Sequence, residues 1–373
     1  MTPLPNTPAP ANKTRVLMAG GTGFIGEFVA RASVDAGFDT FLLIRPCPTT
    51  TYKQALIKEF QEKGATLIHG VINDKELMEK ILKEHEIEIV ISLVGGRDLL
   101  DQLILVEAMK SIKTIKRYIP SEFGHDVDRA TPVEPGLRMY KQKRTVRRAV
   151  EECGIPYTYI CSNSIASWPY YDNSHPAQLP PPLDHMHIYG DGSVKAYFVD
   201  GNDIGRLAIK AASDIRTLNK IVHFRPQSNY YSMNELASLW ENKIGRTIPR
   251  VTISEDLLLA LAAENIEPDS VVASLTHDIF IKGCHNYNSD DPKEVDIGTL
   301  FPEETFRSLE DCFEDFAQLV REKKTNDYDD GDHINGNLKG TKNDDGVKGT
   351  KNGHNENNLK GIMKGDGVTH NKI

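Results

Sequence analysis

Gly20-Gly21-Thr22-Gly23-Phe24-Ile25-Gly26 is the stretch that decides the fold of this chain. It follows the apolar run 15–19 directly and leads into Phe28, Val29 and Ala32 at helical spacing. Glycines let a backbone turn tightly and approach a pyrophosphate with no Cβ in the way. The helix that follows offers free N–H groups and the positive end of its dipole. The pattern reads G-x-x-G-x-x-G from Gly20 and G-x-G-x-x-G from Gly21. A glycine triplet alone is weak, but a strand before it and a helix after it are the context a dinucleotide loop needs. Gly20, Gly21, Thr22, Gly23, Phe24, Ile25 and Gly26 are therefore the expected cofactor-binding residues.

Outward from this loop, short apolar runs at 15–19, 41–44, 66–68, 87–94, 118–119 and 157–160 alternate with helical stretches. Nearly continuous apolar strands separated by helices indicate an α/β fold, a Rossmann-type doubly wound parallel sheet covered on both faces. The expected organisation is a cofactor-binding domain over 14–165 and a smaller substrate-binding part over 166–324. Some segments of the smaller part are expected to return to the first domain. It opens on a Pro-rich, aromatic loop at 168–182. Residues 1–13 and the tail 325–373, with its recurring Lys-Gly-Thr-Lys-Asn, lack large apolar residues and are expected to be disordered.

The end of the second strand distinguishes the two nicotinamide cofactors. An acidic residue there would hold ribose hydroxyls; here Arg45 occupies the position and Lys53 follows. A guanidinium offers a planar fork to a 2′-phosphate, so NADPH is the expected cofactor.

The segment 117–128 leaves the fifth strand at the carboxyl edge, where doubly wound sheets bind ligands. It places His125 beside the expected nicotinamide as a proton donor or acceptor near neutral pH. A helix then runs between Pro135 and Gly154 with several basic residues. At about 100° per residue, Lys141, Arg144 and Arg148 share one side, and Met139, Val146 and Val150 the other. Lys143 falls between that apolar stripe and a strip with Tyr140 and Arg147. Partial burial would lower its pKa and make it a usable base. Arg147 is expected to contact the cofactor.

The bulk numbers exclude several classes. A net charge of −9 argues against a general nucleic-acid binder. The five cysteines are scattered and odd in number, with no C-x-x-C pair, so neither a zinc site nor a disulfide framework is expected. A reducing, cytoplasmic setting fits, with no signal peptide and no membrane insertion.

From about 15 to 320, these residues resemble the plant reductases of the isoflavone, pinoresinol–lariciresinol and phenylcoumaran benzylic ether reductase group, atypical NmrA-like short-chain dehydrogenases. Gly20–Gly26, Arg45, Lys53 and Lys143 match the group's cofactor and catalytic positions. The stretches 117–126, 160–171 and 276–284 look most like its leucoanthocyanidin-reducing branch. There the branch commonly has Phe and Leu where this chain has Tyr118 and Ile119, and two adjacent cysteines where it has Cys161 and Ser162. The resemblance implies NADPH-dependent reduction of flavan-3,4-diols at C4 to flavan-3-ols such as catechin, through a quinone methide, in proanthocyanidin formation. It implies Lys143 as base on the substrate phenol, or as the group assisting that deprotonation, and His125 as the group that helps expel the C4 hydroxyl. Tyr140, Met139 and Ser164 would line a flavonoid pocket. The alternatives are another reductase of the group or a non-catalytic, NADP-sensing NmrA-like regulator; Lys143 at the core edge of its helix favours an enzyme.

Overall fold

In the computed structural model, residues 13–46, 50–166 and 180–331 are described. Strands β1 (Arg15–Ala19), β2 (Asp39–Ile44), β3 (Thr66–His69), β4 (Ile89–Ser92), β5 (Arg117–Ile119) and β6 (Thr158–Cys161) alternate with five helices. These are α1 (Phe24–Asp35), α2 (Thr51–Glu62), α3 (Lys75–Glu84), α4 (Gln102–Met109) and α5 (Gly136–Glu152). The first five strands form one parallel sheet in the order β3-β2-β1-β4-β5. Val16, Leu17 and Met18 of β1 are buried because helices cover both faces, which is why the strand reads as an unbroken apolar run. The chain crosses from β3 over β1 to β4, so the strand order reverses between β1 and β4. That switch point opens a crevice at the carboxyl ends of the two strands, and the glycine loop sits there.

The rest of the chain adds β7 (Ser164–Ile165), β8 (Met186–Tyr189), β9 (Lys195–Val199), β10 (Lys220–His223), β11 (Tyr230–Ser232), β12 (Arg250–Ile253) and β13 (Glu294–Asp296). Its helices are α6 (Gly201–Ser213), α7 (Met233–Ile244), α8 (Glu255–Ala263), α9 (Asp269–Phe280), α10 (Ile297–Leu300) and α11 (Leu309–Gly331). The return of chain to the first layer is extensive. A parallel bridge between Tyr118 and Tyr157 joins β5 to the segment leading into β6, and β6 pairs with β10, which pairs with β13, all parallel. Helix α6 lies against α1 so closely that a Cβ on Gly205 would stand 2.3 Å from the Phe28 carbonyl oxygen. Val29 and Ala30 of α1 share a core with Ile204 and Leu207 of α6. A second core, around Trp240, Phe280 and Phe313, gathers α7, α9 and α11 beside β8 and β9.

Helix α11 continues past residue 325, where a disordered tail was expected to begin, as far as Gly331. Residues 332–373, most of the Pro-rich loop at 168–182, and residues 1–12 lie outside the described residues. Among the described residues, no helix is long and apolar enough to cross a membrane.

Candidate active site

At the carboxyl end of β1 the backbone itself is shaped for a ligand. Gly20 has φ +85°, and a Cβ on it would stand 2.6 Å from the Leu93 carbonyl oxygen. A Cβ on Gly26 would stand 2.0 Å from the Gly20 carbonyl oxygen. The Gly23 N–H donates to that same oxygen at 2.9 Å and closes the turn. Gly23 then caps α1 with no side-chain hydrogen bond, so the helix N-terminus faces the crevice without a capping side chain. A cradle that a Cβ would fill, above an uncapped helix start, fits a pyrophosphate. Gly21, Thr22, Phe24 and Ile25 complete the loop as expected from sequence.

Arg45 leaves the end of β2 exposed, its Nη1 3.0 Å from Asp98 Oδ2. Lys53 lies in the first turn of α2, where the Thr50 hydroxyl caps its N–H at 3.3 Å. Both cations therefore stand at the carboxyl edge of β2, beside the glycine loop.

The second half of the site is made of side chains. Beyond β5, residues 120–126 fold under α5, held by Phe123 N–H on Ile160 O at 2.9 Å and Asn163 N–H on Gly124 O at 3.0 Å. Lys143 reaches in from α5 and donates from Nζ to the Glu122 carbonyl oxygen at 2.7 Å. Burial lowers its pKa, with Arg147 pushing the same way and Glu122 opposing. His125 is buried, and its Nδ1 is hydrogen-bonded to the Tyr140 hydroxyl. Met139 packs against Tyr140 and Leu275. Ser164 is fully buried on β7, its hydroxyl without a hydrogen-bond partner among the described residues.

Two expectations from the sequence are corrected here. His125 does not titrate near neutrality: burial, and then the charge of Lys143, hold its pKa at about 3, so the ring is neutral at pH 7. Arg147 does not reach the cofactor crevice. It is fully buried, with Nη1 2.8 Å from Asp126 and 3.0 Å from Asp128, Nη2 2.9 Å from Glu122, and its guanidinium 4.6 Å from the centre of the Tyr159 ring. The helical wheel placed it correctly beside the core, but a buried guanidinium takes the nearest carboxylates, and the 120–128 loop supplies three. Arg147 thus braces the loop that carries His125.

Folding also gathers residues that no local spacing revealed. His285, in the turn after α9, lies tilted against His125 with ring centres 4.6 Å apart and planes at 59°. Donor atoms of His125, Cys284 and His285 lie within 4.8 Å of one another, as do those of Asp126, His223 and Glu294. The latter set is bound up with Arg129, whose Nε donates to Glu294 at 3.0 Å. In the former, burial and Asp278 keep Cys284 as a thiol rather than a thiolate. The only hint of His285 in the sequence was its position just beyond the 276–284 stretch.

A doubly wound sheet with a glycine cradle, and beside it a half-buried lysine against a buried histidine–tyrosine pair, defines a dinucleotide-dependent reductase site. The NmrA-like family profile matches residues 12–313, and the chain belongs to that family. Leucoanthocyanidin reductase of Desmodium uncinatum is 67% identical to it over 312 residues, 83% of this chain and 82% of that protein. Phenylcoumaran benzylic ether reductase Betv6 of Betula pendula is 39% identical, over 82% of this chain and all of that protein. The structure of leucoanthocyanidin reductase from Vitis vinifera in binary complex with NADPH is 60% identical, with a TM-score of 0.78, covering 81% of this chain and 99% of that one.

Proposed function

We propose that this protein is an NADPH-dependent reductase of leucoanthocyanidins, taking flavan-3,4-diols such as leucocyanidin to flavan-3-ols such as catechin. The observation that carries the reading is Lys143, its Nζ drawn inward onto the Glu122 carbonyl beside the neutral His125–Tyr140 pair, in a chain 67% identical to a leucoanthocyanidin reductase. The free cysteines at 153, 161, 284 and 312 fit a reducing cytoplasm.

Gly20, Gly21, Thr22, Gly23, Phe24, Ile25 and Gly26 hold the pyrophosphate through the backbone and the α1 dipole. Arg45 and Lys53 would hold the 2′-phosphate, whose charge would compete with Asp98 for the Arg45 guanidinium. When bound, NADPH supplies the hydride that C4 of the substrate takes up. Lys143, whose pKa burial lowers, acts as the neutral amine and removes the proton from the phenol para to C4. The electrons released through the ring expel the C4 hydroxyl and leave a quinone methide, electron-poor at C4. His125 hydrogen-bonds the departing oxygen as a neutral ring, with the Tyr140 hydroxyl on its other nitrogen, so departure needs no imidazolium. After reduction the phenolate recovers its proton from Lys143, and the expelled hydroxide takes a proton from solvent and leaves as water. Met139, Tyr140 and Ser164 shape the flavonoid side of the cleft, which the 166–324 part of the chain completes.

The test is NADPH oxidation with and without leucocyanidin, with catechin followed by chromatography. Diol-dependent oxidation with catechin as product is expected. A rate that the diol does not change overturns the reading, and a rate raised by a phenylcoumaran but not by the diol moves the protein to the benzylic ether branch.

A further inference from the structure

His285 belongs to no part of the mechanism above, yet its chemistry is unusually constrained. The chain turns sharply after α9, with Gly283 at φ +69° and the Cys284 N–H on the Asp278 carbonyl at 3.0 Å, and this turn drives the imidazole inward to 2% exposure. Nδ1 accepts the backbone N–H of Tyr197, on β9, at 3.3 Å. A backbone amide only donates, so Nδ1 must present its lone pair. Burial, with His125 and Arg225 nearby, holds the ring's pKa well below 6.5, so the imidazole is neutral. A neutral ring whose Nδ1 accepts carries its single proton on Nε2. That Nε2 is buried and has no hydrogen-bond partner among the described residues. A buried donor left unmade is destabilising, and native structures rarely retain one without a use. The ring that carries this donor lies directly against His125, the two ring centres 4.6 Å apart.

We propose that His285 Nε2–H donates a hydrogen bond to an oxygen of the bound flavonoid and orients it over His125 and Lys143. The inference rests on the function proposed above and adds a substrate-binding residue from the far end of the chain. Because the Tyr197 amide fixes the tautomer, His285 acts as a donor only. It favours an oxygen that offers a lone pair, and most of all one that gains negative charge when the phenol is deprotonated.

Two amide substitutions separate this role from a structural one. Asparagine can place its carbonyl near Nδ1 and keep the Tyr197 bond, but does not reach the Nε2 position. Glutamine can place an N–H near Nε2 and gives up the Tyr197 bond. Catechin affinity for the NADP⁺-bound protein and KM for leucocyanidin are measured beside NADPH affinity. H285N is expected to weaken catechin binding and raise KM by roughly tenfold, about 1.4 kcal/mol, with NADPH affinity unchanged. H285Q is expected to recover most of the loss. If H285N does not fold, H285F, which keeps ring volume and lacks the donor, is expected to show the same loss. The opposite order, H285N near wild type and H285Q impaired, makes His285 a brace for β9 and overturns the proposal. So does a wild-type enzyme that reduces the diol and is matched by every variant, which leaves the proposed function standing. A wild-type protein that neither reduces leucocyanidin nor binds catechin removes both.

Discussion

The glycine loop between β1 and α1 and the polar centre beneath α5 share one crevice and are built in opposite ways. The loop is backbone throughout: its turn closes within seven consecutive residues, and its selectivity comes from where a Cβ cannot go. The polar centre is side chain throughout: Lys143 and Arg147 from α5, Glu122 and His125 from the β5 loop, and His285 from the turn after α9. A backbone site is set by local sequence and holds no buried charge. A side-chain site needs distant segments to arrive together, and its groups must balance one another's desolvation. Mutations should therefore act differently on the two, and the following outcomes test that contrast.

Lys143→Ala should give the largest effect on turnover, a loss of roughly 10²- to 10⁴-fold in kcat, the range of a general base. NADPH affinity, measured by fluorescence titration, should stay near wild type, since the loop does not depend on α5. Full turnover in this variant would make Lys143 a surface lysine.

Arg147→Leu should strike stability first, with turnover falling only as far as the loop that carries His125 loosens. It strands the buried carboxylates of Glu122 and Asp126, and breaking a buried pair costs about 3–5 kcal/mol. Urea unfolding reads the loss directly; a change under 1 kcal/mol would show that water reaches the network.

Arg45→Ala should weaken NADPH by about 1.5–3 kcal/mol, the range for hydrogen bonds to charged groups, and leave NADH nearly untouched. Equal binding of both cofactors by the unaltered protein would remove Arg45 from the 2′-phosphate site.

The pH dependence of stability carries the mark of the polar centre. His125 has a folded pKa of about 3, below its unfolded value near 6.5. Over that window the unfolded chain holds the proton more readily than the folded one. The stabilising difference is complete above about pH 6.5 and shrinks as pH falls, by up to about 1.4 kcal/mol per pH unit. Between pH 6.5 and 5 in urea unfolding, H125N should show a shallower slope than wild type; an equal slope would mean that His125 is hydrated.

The smallest effect concerns Ser162, next to the buried Cys161. Its buried hydroxyl has no partner among the described residues. Ser162→Cys should raise stability by about 1 kcal/mol, because the weaker polar group loses less on burial. A lower melting temperature would point to a structural water on that oxygen.

The same contrast governs what could be read from the residues alone. The strand–helix alternation, the glycine loop, the frame of α5 and the inward lean of Lys143 are local patterns, and each stands in the structure. The partners of Arg147 were not legible, because a helical wheel gives a face and not what lies opposite it. His125 was expected to titrate near neutrality because its type suggests that, whereas its pKa depends on burial that only the folded chain supplies. His285 had no signal of its own, being brought to His125 by a turn 160 positions later in the chain. Strands β10 and β13 were missed as partners of β6: each is short, with two consecutive apolar residues at most, and parallel pairing leaves no hairpin turn to mark it.

That late pairing has a consequence during synthesis. Residues 158–161 leave the ribosome long before 220–223 and 294–296, the strands that complete their side of the sheet. Until then the nascent chain carries an open, apolar β6 edge, the kind of surface that templates association with other chains. A gene cut after residue 165 would encode the glycine loop, Arg45, His125 and Lys143 together, yet its product should collect in inclusion bodies.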